Sequence, residues 1–324
     1  MITKAILLVG GKGTRLAPLT NTTPKPMLKV AGKPVTEHQI AKAVDAGITE
    51  LVLATSYLAE VFEPYFGDGS KYGISITYAV EKEPLGTGGA IANAALHLDL
   101  LPNESVVIFN GDVLSGHDLQ AQMGLHTKTN ADVTLYLTRV SDPRAYGCVP
   151  TDEENRVKAF LEKMENPIAD TINAGCYIFN KSALEKIPVG EVVSVERDIF
   201  PTLLSEGADV FGYLDNNYWI DMGTPQSFIK ASRDLILNPQ LSTATEGLID
   251  QNWIGQNALI HSTAQISGGS SIGEFCEIAE NARIEGSIIA DHVTIGAGSQ
   301  IVGSYISTNQ VIPPNTYISN EIIG

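Results

Sequence analysis

The chain of 324 residues is poor in cysteine: Cys148, Cys176 and Cys276 are its only three, with no CxxC pair and no Cys/His cluster. That argues against a disulfide scaffold and a zinc site, and the expectation is small buried thiols in a reducing cytoplasm. Long hydrophobic runs are also missing. Nothing approaches the ~20 apolar residues of a membrane helix. The first apolar stretch, residues 5–9, ends at two glycines, short of the ~7–15 residues of a signal peptide, so export is not expected. Basic side chains are outnumbered, 21 Lys+Arg against 37 Asp+Glu, for a net charge of −16. Such a surface repels nucleic acid and anionic lipid, so neither is an expected partner. The exception is local. Residues 1–36 contain Lys4, Lys12, Arg15, Lys25, Lys29 and Lys33 and no acid at all. A basic segment on an acidic chain points to a pocket for a small anion.

What the chain does have is alternation. Short β-branched runs at residues 5–9, 51–55, 74–79, 106–110 and 133–137 alternate with amphipathic stretches such as 36–46, 58–66 and 89–98. Further strands at 171–180 and 210–214 and helices at 195–205 and 225–237 continue the series. Apolar strands separated by helices predict an α/β fold with a Rossmann-like, mainly parallel sheet covered on both faces. Ligands of such sheets bind beyond the carboxyl ends of the strands.

The pattern changes after Asn238-Pro239. Ile260, Ile266, Ile272, Ile278 and Ile284 are spaced by six; Ile289, Ile295 and Ile301, then Ile306, Ile312 and Ile318, continue the series after one-residue slips. Neither a helix nor an alternating strand has this period, whereas a hexapeptide-repeat left-handed β-helix does. The expected division is a catalytic domain over 1–238, a linker over 239–252 and a β-helix domain over 253–324.

The loop Val9-Gly10-Gly11-Lys12-Gly13-Thr14-Arg15-Leu16 follows the first strand. Its glycines allow positive φ and let backbone N–H groups approach phosphate. It is neither a P-loop nor a dinucleotide fingerprint, because the required Gly-Lys-Ser/Thr and third glycine are missing. Further on, Pro24-Lys25-Pro26-Met27 fixes one lysine between two prolines. Together the two motifs resemble the signature of the sugar-1-phosphate nucleotidyltransferases. Other segments fit the same family: Pro84-Leu85-Gly86-Thr87-Gly88-Gly89, Asn110-Gly111-Asp112, Tyr146-Gly147, Glu162-Lys163, Asn173-Ala174-Gly175 and Trp219-Ile220-Asp221-Met222-Gly223.

The resemblance implies transfer of a nucleotidyl group from a nucleoside triphosphate to a sugar 1-phosphate. It assigns catalytic roles to Arg15, Lys25 and Lys163. Nucleotide contacts fall to Leu8, Gly10, Gly11, Gly13, Thr14, Gly86, Thr87 and Gly111, and sugar contacts to Gly147, Glu162 and Asn173. The implied cofactor is Mg²⁺ on Asp112 and Asp221, and the implied assembly is a homo-oligomer. Within the family the motifs are most like those of members that use GTP and mannose 1-phosphate. Another base or sugar, such as UTP, dTTP, glucose 1-phosphate or heptose 1-phosphate, stays open. So does a non-catalytic sensor of nucleotide sugars, although such relatives typically lose the charged residues that are present here. An acyltransferase in the tail would need a longer β-helix and a positioned histidine, for which only His261 and His292 are available. None of the six histidines pairs with the motifs, and they read as core or surface groups.

Overall fold

The computed structural model describes residues 2–162, 165–245, 248 and 251–324. They gather into two compact units. One holds the chain up to Gly11 together with Lys42–Trp219; the other holds Lys12–Ala41 together with Ile220–Gly324. The signature segment Lys12–Ala41 is therefore grouped with the carboxy-terminal residues.

The first unit is built on one sheet. Its main strands are β1 (Lys4–Leu8), β2 (Glu50–Thr55), β3 (Ser75–Val80), β4 (Ser105–Asn110), β5 (Val133–Arg139), β6 (Thr171–Asn180) and β7 (Val210–Leu214). The order β4-β1-β2-β3 is a parallel block, and β7 runs parallel to β5. This bears out the α/β, parallel-dominated expectation. β6 departs from it, running antiparallel to both β4 and β5. A strand buried on both faces is a continuous apolar run in either direction, so direction leaves no mark on hydrophobic pattern. The core beneath the sheet includes Ile6, Val52, Ile108, Leu135, Tyr177 and Phe179, with Ile91 and Phe200 from neighbouring helices.

Four longer helices accompany the strands: α1 (Val35–Asp45), α2 (Gly86–Ala95), α3 (Leu119–Thr129) and α4 (Pro225–Leu237). The sequence gives little sign of α3. Its buried face, Leu119, Gln122, Met123 and His126, is half polar, which blurs the apolar period. Asp118 nevertheless starts it by accepting from Ala121 N at 2.9 Å. Two expected helices begin irregularly. Residues 58–66 split into a 3-10 turn, Ala59–Val61, and a short helix, Phe62–Phe66. Residues 195–205 open as a π-helical turn, Val195–Ile199. No helix among the described residues is long and apolar enough to cross a membrane. All three cysteines are buried.

In the second unit the tail is a three-sided stack of parallel strands. Ile260, Ile278, Ile295 and Ile312 lie in register in one sheet, Ile266, Ile284, Ile301 and Ile318 in another, and Ile254, Ile272, Ile289, Ile306 and Ile323 in the third. Each slip in the repeat falls at the same corner, at Gly286-Ser287 and Gly303-Ser304, where the first coil has the longer Gly268-Gly269-Ser270. A ladder of buried serines lines that corner. Ser287 N donates to Ser270 Oγ at 3.3 Å, and Ser304 N donates to Ser287 Oγ at 3.1 Å.

Candidate active site

In the unit built on the sheet, the candidate residues gather at strand ends. β1 ends at Leu8, and Gly111 N donates to Leu8 O at 3.0 Å. A Cβ on Gly111 would lie 2.3 Å from that same oxygen, so only glycine permits this approach. Asp112 follows at once, after the end of β4. Gly147 pairs with Glu162 in a short antiparallel ladder. Lys163 lies outside the described residues.

Asn173 sits at an irregularity in β6, where the register against β5 shifts between Asn173 and Tyr177. Gly175 provides the positive φ of 81° that the shift uses. The motif Asn173-Ala174-Gly175 is thus a bulge, a device that re-aims side chains at the edge of a site. Gly86 (φ 73°) opens α2. Cβ atoms on Gly86 and Gly89 would meet Val193 O at 2.5 Å and Glu191 O at 2.4 Å. These glycines are required by the chain's own backbone, which crosses them at residues 191–193.

A polar network that motif reading did not assemble joins these segments. The buried Tyr177 hydroxyl accepts from Asn110 Nδ2 at 3.1 Å and Asn173 Nδ2 at 3.0 Å, and donates to Glu196 Oε1 at 3.3 Å. Glu196 Oε2 accepts from Thr87 Oγ1 at 2.7 Å and Ser194 Oγ at 2.8 Å. Burial holds the Tyr177 phenol well above its ordinary pKa, so it stays protonated as a donor. The partners are far apart in sequence, which is why no local pattern announces them.

Glu81 is a further buried polar group that no sequence motif marks. It follows β3, and its Oε2 accepts from Leu85 N at 3.3 Å. Its Oε1 is shut from solvent without a hydrogen-bond partner, and burial pushes the carboxyl above its usual range.

In the other unit, Gly13 has a φ of 61°, and a Cβ there would lie 2.9 Å from Lys25 Cβ and 3.1 Å from Thr20 Cγ2. The glycine loop and Lys25 are therefore in contact. Lys25 is buried at 6% exposure. Its turn is fixed by Met27 N donating to Pro24 O, Leu28 N to Lys25 O, and Thr36 Oγ1 to Pro26 O. Arg15 and Asp221 meet at Gly223, where a Cβ would lie 2.7 Å from Arg15 Nη2 and 3.0 Å from Asp221 Oδ1. An arginine fork and a carboxylate thus meet at one glycine, and a lysine packs against another.

Among the described residues no group of three or more His, Cys, Asp and Glu gathers as a metal site. Mg²⁺ does not require one. It is held by one or two carboxylates and completed by substrate phosphates and water. Asp112, in the sheet unit, and Asp221, in the other, each offer the hard oxygen donor that Mg²⁺ takes rather than the soft ligand a transition metal prefers. The histidines play no part in either group. His38, His117 and His126 are buried, while His97, His261 and His292 are exposed.

The sequence pattern of the family described as Nucleotidyl transferase matches residues 4–237. The chain belongs to the nucleotidyl transferase family. This nucleotidyl transferase is 49% identical over 298 residues to the mannose-1-phosphate guanylyltransferase of Mycobacterium tuberculosis, covering 92% of this chain and 82% of that one. It is 35% identical over 323 residues to a probable mannose-1-phosphate guanylyltransferase 2 of Oryza sativa, covering 99% and 86%. Among solved structures, HddC from Yersinia pseudotuberculosis complexed with GMP-PN matches with a TM-score of 0.61 at 27% identity, covering 72% of this chain and all of that one.

Proposed function

We propose that this nucleotidyl transferase joins GTP and mannose 1-phosphate to give GDP-mannose and pyrophosphate. The observation that carries the choice of substrates is the 49% identity to the M. tuberculosis mannose-1-phosphate guanylyltransferase across 92% of the chain.

In the reaction, an oxygen of the sugar phosphate forms a bond to the α-phosphorus. The bond from that phosphorus to the bridging oxygen breaks, and its electron pair leaves with pyrophosphate. The nucleophile is already an anion, so no general base is needed. The obstacle is repulsion between two polyanions, and alignment with charge neutralisation overcomes it. Arg15 grips the leaving pyrophosphate with its planar fork. Lys25, held in a fixed turn, neutralises charge between the attacking and α-phosphate oxygens. Lys163 holds the sugar phosphate, with Gly147, Glu162 and Asn173 along the sugar. Leu8, Gly10, Gly11, Gly13, Thr14, Gly86, Thr87 and Gly111 border the nucleotide. Asp112 and Asp221 would hold Mg²⁺, which supplies further neutralisation of phosphate charge when bound. The setting is cytoplasmic and the assembly a homo-oligomer, with the catalytic chain over 1–238 and the tail over 253–324.

The test is a pyrophosphate-release screen of GTP, UTP, dTTP and ATP against mannose, glucose and heptose 1-phosphates. The expected optimum is GTP with mannose 1-phosphate. A wild-type optimum on another pair would overturn the reading.

A further inference from the structure

We propose that the tail is a working part of the transfer machinery: together with α4 it fixes the backbone that carries Lys25, with Lys29, Asp291 and Trp253 as positioning residues. The inference rests on the role given to Lys25 above.

The chain that leaves Lys25 enters a tight hairpin at once. Lys29–Val30 pairs with Lys33–Pro34 across Ala31 (φ 48°) and Gly32 (φ 80°). Two successive positive φ angles make this the turn that suits a two-residue hairpin. Every part of the hairpin is held by residues of the same unit. Lys29 Nζ pairs with Asp291 Oδ2 at 2.7 Å, while Asp291 Oδ1 accepts from Glu274 N of the neighbouring coil at 2.9 Å. One carboxylate thus joins two turns of the tail to a lysine four residues after Lys25. The indole of Trp253, on the first coil, lies flush on Gly32; a Cβ there would stand 2.0 Å from its Cε2. Ala31 N donates to the buried Ser232 Oγ of α4 at 3.0 Å. His38 Nε2 donates to Val30 O at 3.0 Å, and His38 Nδ1 accepts from Ser242 Oγ at 2.8 Å.

These contacts are discrete. Beside them lies a cavity of about 130 Å³ lined by Met27, Lys29, Gly32, Trp253, Asp291 and Tyr305 among others, so the segment does not pack continuously on the coils there. Its position rests on these pins, one of them the Lys29–Asp291 ion pair. A stacked prism of coils is a rigid body on which to mount them. For a charge that acts by preorganisation, rigidity of the mount is what sets its worth.

The test uses the full-length protein and a double-mutant cycle. Lys29→Met keeps the aliphatic stem and removes the ion pair. It should lower kcat about tenfold or more, as a misplacement on the order of 1 Å does. KM for GTP and for mannose 1-phosphate should stay within about twofold, and thermal unfolding should be little changed, because a half-exposed pair contributes little stability. Lys29→Arg should restore kcat. In a Lys25→Ala background, Lys29→Met should cause no further loss. Trp253→Phe, which loosens the other pin, should show the same kcat-only signature. Unchanged kcat in both single variants would overturn the proposal. So would a rise in KM for GTP, which would mark Lys29 as a substrate contact, or a full additive loss on top of Lys25→Ala. Lys25→Ala alone tests the underlying assignment: if it turns over like the wild type, that assignment fails. An impaired Lys25→Ala beside an unimpaired Lys29→Met defeats only the bracket.

Discussion

The sheet and the tail are both built largely from parallel strands rich in aliphatic residues, yet they put irregularity in opposite places. In the tail, coil follows coil in register, and Ile278, Ile295 and Ile312 occupy equivalent sites. In the sheet each strand ends differently: β1 in Gly10-Gly11, β4 in Asn110-Gly111-Asp112, and β6 carries a bulge at Asn173. Repetition gives the tail stiffness and leaves it few unique positions. The sheet's departures from regularity supply its chemistry. Two of its side chains, Trp253 and Asp291, touch the hairpin that follows Lys25. Unique geometry, rather than strand content, marks the places where this chain does something.

One pair of truncations would break that comparison if it is wrong. Lys25→Ala should lower kcat by ~10²–10³, the usual loss for one preorganised charge stabiliser, with little change in unfolding. Ile295→Ala, at a fully buried repeat position, should do the reverse. It should cost ~2–5 kcal/mol in a urea unfolding experiment while leaving kcat within a few-fold at temperatures where the coils stay folded. Equal kinetic losses in the two variants would erase the distinction between site and scaffold.

A smaller effect sharpens it through pH. Burial holds His126, in the sheet unit, and His38, beside the Lys25 hairpin, down at a pKa of about 4. Both folded values lie below the unfolded value near 6.5, so the unfolded chain binds protons first as pH falls. The stability these neutral rings support is complete above about pH 6.5 and is lost on acidification towards pH 4. At pH 5 the loss is on the order of 2 kcal/mol for each ring. The urea midpoint at pH 5 against pH 7, in wild type and in His126→Gln, measures this; a midpoint indifferent to pH would contradict it.

Legibility in the sequence followed the same divide. The tail could be read from isoleucine spacing alone, since a period of six has one structural solution. The slips in that spacing stood for a shorter corner at Gly286 and Gly303. In the sheet, strand positions were legible from apolar runs. The reversed direction of β6 was not, because burial on both faces erases the difference. The half-polar helix α3 was hidden by Gln122 and His126. Of the candidate site, the glycine loop and the Lys25 turn were legible because they are contiguous motifs. The Asn110–Tyr177–Glu196–Thr87 network and Glu81 were not. Their meaning depends on which distant residue lies opposite, and that is set by the fold.

In the proposed mechanism, charge neutralisation by fixed protein groups and an oxygen-bound divalent cation carries the catalysis. The most direct measurement is a Mg²⁺ titration of GDP-mannose formation from GTP and mannose 1-phosphate in wild type, Asp112→Asn and Asp221→Asn, with thermal unfolding recorded for each. The predicted result is a Mg²⁺ requirement shifted upward by about tenfold or more in both variants, as loss of one of two carboxylate ligands implies, with the fold intact. Titrations that superimpose on the wild type in well-folded variants would contradict it.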